Sequence, residues 1–241
     1  MRIGVISDIH GNLEAFMEVL KDLELSGVER VVCLGDNIGY GPEPERVVGL
    51  IRARNIPCVM GNHELGLVDP AYLSWFNPVA RKSLMITRDL LSPESFAFMR
   101  SLQTSMTYEG CLCVHGCPPA SITTYLFEAR GFQLRQIFTN MKEKISFVGH
   151  THDLEIISFD GHDIISARLR EGSVALKKDL KYIVNAGSVG QPRDGNNNAK
   201  YVILDTQRQT LDVRYVPYDI GVTASAILEL GFPSVNARRL W

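Results

Sequence analysis

Along its first half the chain alternates short apolar runs with longer stretches in which apolar side chains return at helical spacing. That alternation predicts an α/β protein whose central strands pair largely in parallel. RIGVIS, residues 2–7, is the first expected strand. The stretch 12–25 then places Leu13, Phe16, Met17 and Leu20 at helical spacing, with Asn12 positioned as the cap. RVVCLG (30–35) predicts a second strand. A second helix over 42–55 carries Pro42 and Pro44 near its first turn, where a missing N–H costs little. IPCVMG (56–61) predicts a third strand. Helical spacing runs from Pro78 to Leu102, interrupted where Ser92 and Pro93 start a new helix. CLCVHG (111–116) and ISFVGH (145–150) predict the fourth and fifth strands, flanking a helix around Phe127 to Met141.

The pattern then changes. Residues 155–169 and 199–216 alternate apolar and polar side chains around turn formers, which predicts hairpins and a more antiparallel second half. RDGNNNAK (193–200) reads as a mobile loop between two strands. The stretch 223–241 reads either as a packing helix with a tail exposing Leu240 and Trp241, or as a contact to a partner subunit. Oligomeric state is left open.

At 241 residues with 45% hydrophobic side chains, the chain is long enough to bury roughly 70% of its unfolded surface. One domain over 1–241 is expected. A net charge of -2, with no long basic run, argues against a nucleic-acid-binding face. No stretch has the length of a membrane span, and the apolar start is too short for a signal peptide. Five cysteines, an odd number, suit reduced thiols and a cytoplasmic location.

Candidate chemistry gathers at the ends of the apolar runs. These runs lead into Asp8 and His10, Asp36, Asn62 and His63, His115, and His150 and His152. In an open α/β sheet the carboxyl ends of parallel strands converge on one crevice, so these side chains are expected to meet. All are metal-ligand types, and they are too many for one tetrahedral ion. They suit two ions about 3.5–4 Å apart sharing a carboxylate and a hydroxide. If GHTH is extended, His150 and His152 point to the same side and each reaches a different ion.

Asp8-x-His10, Gly35-Asp36, Gly61-Asn62-His63-Glu64, His115 and Gly149-His150-Thr151-His152, in that order, resemble the calcineurin-like metallophosphoesterases. Residues 35–45, 76–94 and 185–195 resemble its small bacterial and archaeal phosphodiesterase branch. The resemblance implies two mixed β-sheets packed face to face and flanked by helices, a four-layer α/β/β/α fold. It implies that Asp8, His10, Asp36 and His152 hold one divalent transition-metal ion. Asp36, as the bridge, joins Asn62, His115 and His150 around a second. His63 is then left as general acid while a metal-bridging hydroxide attacks phosphorus. Manganese is the foremost candidate, with iron, nickel, cobalt or zinc also suited to nitrogen and oxygen donors.

Blander readings exist for several positions. Asp8 alone could cap a helix, and His162 is read as an ordinary turn residue. Glu64 could buttress His63 or cap the next helix, and is not counted as catalytic. Cys111, Cys113, His115 and Cys117 could suggest a separate zinc site, but their alternation along one strand lacks the usual knuckle spacing. Cys117 is expected to put a thiol beside the second metal. Arg193, in a glycine-rich stretch, is a candidate phosphate clamp. Of the aromatics in 69–78, Trp75 or Phe76 is expected in the core and Tyr72 is allowed at the surface. The expected substrates are small phosphate esters or nucleotides, including dinucleoside polyphosphates. The alternatives are a phosphoprotein phosphatase or a non-catalytic metal-binding scaffold.

Overall fold

A computed structural model describes residues 1–241. The chain runs β1 (Arg2–Ile6), α1 (Leu13–Leu25), β2 (Arg30–Cys33), α2 (Pro44–Ala53), α3 (Asn62–Val68), α4 (Pro70–Leu73), α5 (Pro78–Asp89) and α6 (Pro93–Ser101). It continues through β3 (Ser105–Tyr108), β4 (Cys111–Val114), α7 (Phe132–Asn140), β5 (Ile145–Val148), β6 (Leu154–Phe159), β7 (Ile164–Arg168) and β8 (Gly172–Ala175). β9 (Lys181–Ala186), β10 (Ala199–Asp205), β11 (Thr210–Val216), α8 (Ile220–Glu229) and α9 (Ser234–Arg238) complete it.

Two mixed sheets result, one ordered β2-β1-β10-β11-β8 and the other β3-β4-β5-β9-β6-β7. Parallel pairing is confined to β1 with β2 and to the β4-β5-β9 trio; the remaining pairs are antiparallel. The centre is therefore less parallel than the apolar runs suggest, because β10 inserts beside β1 from the far end of the chain.

Both faces of each central strand are buried, and alternate residues serve different layers. Ile3 and Val5 of β1 pack with Val202 and Leu204 of β10 against Cys113, Phe147 and Val184 of the other sheet. Ile6, Tyr201 and Ile203 face the opposite way, onto Phe16, Val19 and Leu20 of α1 and Val47 and Ile51 of α2. On the second sheet, Leu112, Val114, Val148 and Ile183 turn outward onto Leu134 and Phe138 of α7. This is the expected order of helix, sheet, sheet, helix. Gly4 brings α1 close, since a Cβ there would lie 2.3 Å from Leu23 Cδ2.

Several local expectations fail for identifiable reasons. IPCVMG forms only isolated bridges, Cys33 to Cys58 and Val59 to Gln103, because Pro57 has no N–H for a ladder and the chain soon turns into α3. Met17 lies at the edge of the α1 face and is exposed. Leu240 is buried in a cluster with Ala224, Ile227, Phe232 and Ala237, so only Trp241 of the pair faces solvent. In the loop 193–200, the buried Lys200 ammonium pairs with Asp194 at 2.8 Å and donates to the Asn196 and Asn198 carbonyls. No helix is long and apolar enough to cross a membrane.

Candidate metal centre

The expected residues meet where the two sheets present their strand ends side by side. Asp8 and His10 follow β1 and Asp36 follows β2, while His115 follows β4 and His150 and His152 follow β5. Asn62 and His63 do not end a strand; they open α3. Apart from Asn62, all these residues are buried, and their ligand atoms fall into three overlapping groups: Asp8, His10, His152; His10, Asp36, His63; and Asp36, His115, His150.

The backbone that aims them is unusual. Asp8 (φ 54°), His10 (51°), Asp36 (54°), His150 (68°) and His152 (63°) all adopt left-handed conformations that non-glycine residues seldom take. Such strain persists only where the surrounding structure over-determines it. GHTH is therefore not extended, and the two histidines reach different groups through two left-handed residues rather than through strand alternation.

Backbone carbonyls fix the imidazole tautomers. Nδ1 of His10 donates to Ile38 O (3.0 Å), Nδ1 of His115 to Leu34 O (2.8 Å), and Nδ1 of His152 to Gln191 O. Each ring thus turns Nε2 inward. His150 is reversed, its Nε2 engaging Thr123 O at 3.2 Å and leaving Nδ1 as the free nitrogen. Tyr125 stacks on that ring with centroids 4.0 Å apart.

Each carboxylate divides its oxygens. Oδ2 of Asp8 accepts from Ser7 Oγ (2.6 Å) and His150 N (3.0 Å), whereas the buried Oδ1 has no hydrogen-bond partner and faces Nε2 of His152 at 3.2 Å and of His10 at 3.7 Å. Oδ1 of Asp36 accepts from His63 N (2.8 Å), and Oδ2 lies 3.3, 3.8 and 3.9 Å from Nε2 of His115, His10 and His63. Glu64 holds this arrangement from behind, accepting from the N–H groups of Asp36 (2.9 Å), Asn37 (2.7 Å) and Gly61 (3.0 Å). It both caps α3 and clamps the Asp36 turn, a role larger than either sequence reading gave it. Gly61 is required at this turn: a Cβ would fall 2.1 Å from Asp36 Oδ1.

Burial opposes ionisation of Asp8 and Asp36, yet both stay well below the ordinary carboxylate range, held there chiefly by His152 for Asp8 and by His115 and His63 for Asp36. Burial lowers His63 to about 4 and His150 to about 3, and keeps His10 well below its usual value. His115 is the exception: against burial, Asp36 lifts it to about 10. A proton on its Nε2 then lies between Asp36 Oδ2 (3.3 Å) and Asn62 Oδ1 (3.0 Å), a position where a cation and a proton compete. Asp8 Oδ1, which accepts no hydrogen bond, the inward Nε2 atoms and the shared Asp36 Oδ2 fit divalent transition-metal ions.

The sequence matches the calcineurin-like phosphoesterase superfamily domain over residues 1–209. The chain belongs to that family. A metallophosphoesterase from Sphaerobacter thermophilus superposes over 100% of this chain and 98% of its own, with a TM-score of 0.84 and 33% identity. An uncharacterized protein of Methanocaldococcus jannaschii is 36% identical, covering 99% of this chain and 97% of its own. A hypothetical protein from Pyrococcus horikoshii shares the fold at TM-score 0.79 and 18% identity, covering 100% and 97%. The chain is accordingly a phosphoric ester hydrolase of a superfamily that uses divalent metals.

In this phosphoesterase the centre opens into a cavity of about 190 Å³ lined by Asp36, Asn62, His63, His150 and His152 and walled by Tyr40, Tyr72, Trp75, Phe76 and Tyr125. Arg193 stands exposed at its mouth. Of Trp75 and Phe76, it is Phe76 that packs against the core cluster of Ile38, Val48, Leu84 and Met99, while Trp75, 71% exposed, sits in the turn after α4 where its ring meets Tyr72. Phe76 is half-buried and meets His63 edge-on at 5.1 Å. Cys111 and Cys113 belong to the core between the sheets, and Cys117 packs beneath α7, not in the cavity wall. Burial pushes the Cys117 thiol up to about 11, and no metal-type group includes a cysteine. Tyr40, Tyr125 and Gln191 were not singled out by the sequence; each comes from a loop without a recognisable spacing.

Proposed function

We propose that residues 1–241 act as one domain that hydrolyses small phosphate esters or nucleotides with two divalent ions, manganese foremost. The observation that carries this is the sharing of Asp36 Oδ2 between two donor groups, with His10 on one side and His115 on the other. Asp8, His10, Asp36 and His152 would hold one ion, and Asp36, Asn62, His115 and His150 the other. Bound there, the ions would supply Lewis acidity and lower the pKa of a shared water.

The chain's own groups supply the rest. His63 carries no carbonyl on its buried Nδ1, and its Nε2 faces the shared carboxylate at 3.9 Å. Neutral in the free protein, it offers an N–H to the phosphoryl group. A dianionic substrate beside it favours the imidazolium, which can then protonate the leaving oxygen. Arg193 adds a guanidinium at the mouth, and the aromatic walls exclude water around the ester. A cavity this small supports small phosphate compounds over a phosphoprotein. Its full donor set supports an enzyme over a scaffold. Five unpaired cysteines support a cytoplasmic location.

The test is hydrolysis of bis-p-nitrophenyl phosphate by protein stripped of metal and reloaded with manganese, beside Asp36→Asn. Metal-dependent turnover that drops at least about 100-fold in the variant is expected. Ions bound without turnover, across manganese, iron, cobalt, nickel and zinc, would remove the reading.

A further inference from the structure

Beside the cavity lies a recess of about 480 Å³ that shares Tyr40, Asn77, Tyr125 and Arg193 with it. Its far side is built by Asn196, Asn197, Arg239 and Trp241. No acidic side chain lines it, in a chain whose net charge is -2.

Both guanidinium groups are exposed, and neither takes part in an ion pair; Arg193 has only a 3.4 Å contact to its neighbour Gln191. The nearest acid in sequence, Asp194, is taken by Lys200. That pair, with the Lys200 bonds to Asn196 and Asn198, sets the loop that carries Arg193. Arg239 is placed by α9, which is anchored where buried Asn236 donates to Tyr40 O (3.2 Å) and Ser83 Oγ (2.9 Å). Two arginines, one from the 193–200 loop and one following α9, line with Asn77, Asn196 and Asn197 a recess that holds no acidic side chain, and together they make a complement for a polyanion.

We propose that this recess is a second anion subsite, in which Arg193 and Arg239 hold a phosphoryl group of the substrate beyond the ester that is cut. The proposal rests on the phosphoesterase reading of the adjoining centre and narrows it to substrates with two or more phosphoryl groups. Arg239 sets specificity; it does not take part in the chemistry.

The experiment uses metal-free protein and sodium tripolyphosphate, followed by calorimetry. Without ions, Asp8 and Asp36 repel a polyanion from the centre itself, so binding reports the recess. Tripolyphosphate should bind more tightly than inorganic phosphate. Arg193→Ala and Arg239→Ala should each weaken it by about 10-fold, the scale of one lost charge-assisted contact, and the double variant should erase it. Arg239→Lys should retain part of the binding, and Arg208→Ala, at a distant exposed site, all of it. Wild-type affinity in the double variant, or no binding by wild type, overturns the subsite. Metal-loaded protein that cuts no phosphate ester while this pattern persists removes the catalytic reading and leaves the anion site standing.

Discussion

Nε2 of His10 and Nε2 of His152 face one another at 3.1 Å, each ring turned there by a carbonyl that accepts a hydrogen bond from its Nδ1–H. Two imidazole lone pairs at that separation repel unless a proton or a cation lies between them. The folded chain therefore carries a cost that an ion removes. One ion at about 100 times its Kd adds about 2.7 kcal/mol, which for a chain of this length raises Tm by about 5–10 °C. His152→Ala should abolish most of that rise. Scanning calorimetry with and without manganese measures it; identical curves would count against ion binding here.

Glu64 touches no expected ligand with its own chain of bonds except through the backbone of Asp36, Asn37 and Gly61. Glu64→Gln leaves one acceptor oxygen for three N–H donors and sets an NH₂ against them. Metal affinity is expected to fall by about 10–100-fold. Titration calorimetry of the two proteins decides it, and equal affinities would reduce Glu64 to an ordinary helix cap.

Gly39 has φ 128°, and a Cβ there would lie 2.1 Å from His63 Nδ1. Gly39→Ala should displace the His63 ring while leaving the ions in place. A misplacement on the order of 1 Å lowers turnover by about 100-fold. Metal content measured beside kcat separates the two effects; lost metal with lost activity would show that the ring is not the target.

Asp22 fastens α1 to the sheet, accepting from Arg214 Nη2 (2.7 Å), Arg214 Nε (3.0 Å) and Tyr201 Oη (2.7 Å). Partial burial works against its charge, but these bonds win and hold its pKa below the ordinary aspartate value. A lowered folded pKa means the stabilisation is present above the unfolded value of about 3.9 and is lost as pH falls through the folded one. Because Arg214 is 41% exposed, water screens the pair, and Asp22→Asn should cost about 1 kcal/mol at pH near 7. The urea midpoints of the two proteins should converge as pH falls through the lowered folded pKa of Asp22. A constant gap at every pH would assign the effect to packing.

The layer order and the meeting of Asp8, His10, Asp36, His115, His150 and His152 were legible because each follows an apolar run buried on both faces. Direction was not legible. Left-handed backbone at His150 and His152 is not announced by spacing, so GHTH reads as extended, and GNHE reads as a strand end because the apolar run IPCVMG precedes it, although Asn62 opens α3. Short strands β3 and β8 were hidden for another reason: they pair at sheet edges and carry little apolar signal. A lysine within the apolar run AKYVILD is a mark that sequence reading passes over; Lys200 sits there because Asp194 and two carbonyls satisfy its charge. Arg239 lies 46 residues from Arg193 in sequence, and only the docking of α9 on Tyr40 and Ser83 brings it to the recess.

The donors come from both sheets: Asp8, His10 and Asp36 from one, His115, His150 and His152 from the other. The distance between the halves of the centre is thus also the offset of one sheet against its neighbour. An ion held by donors of both layers would therefore join them, as a rivet through the middle of the sandwich.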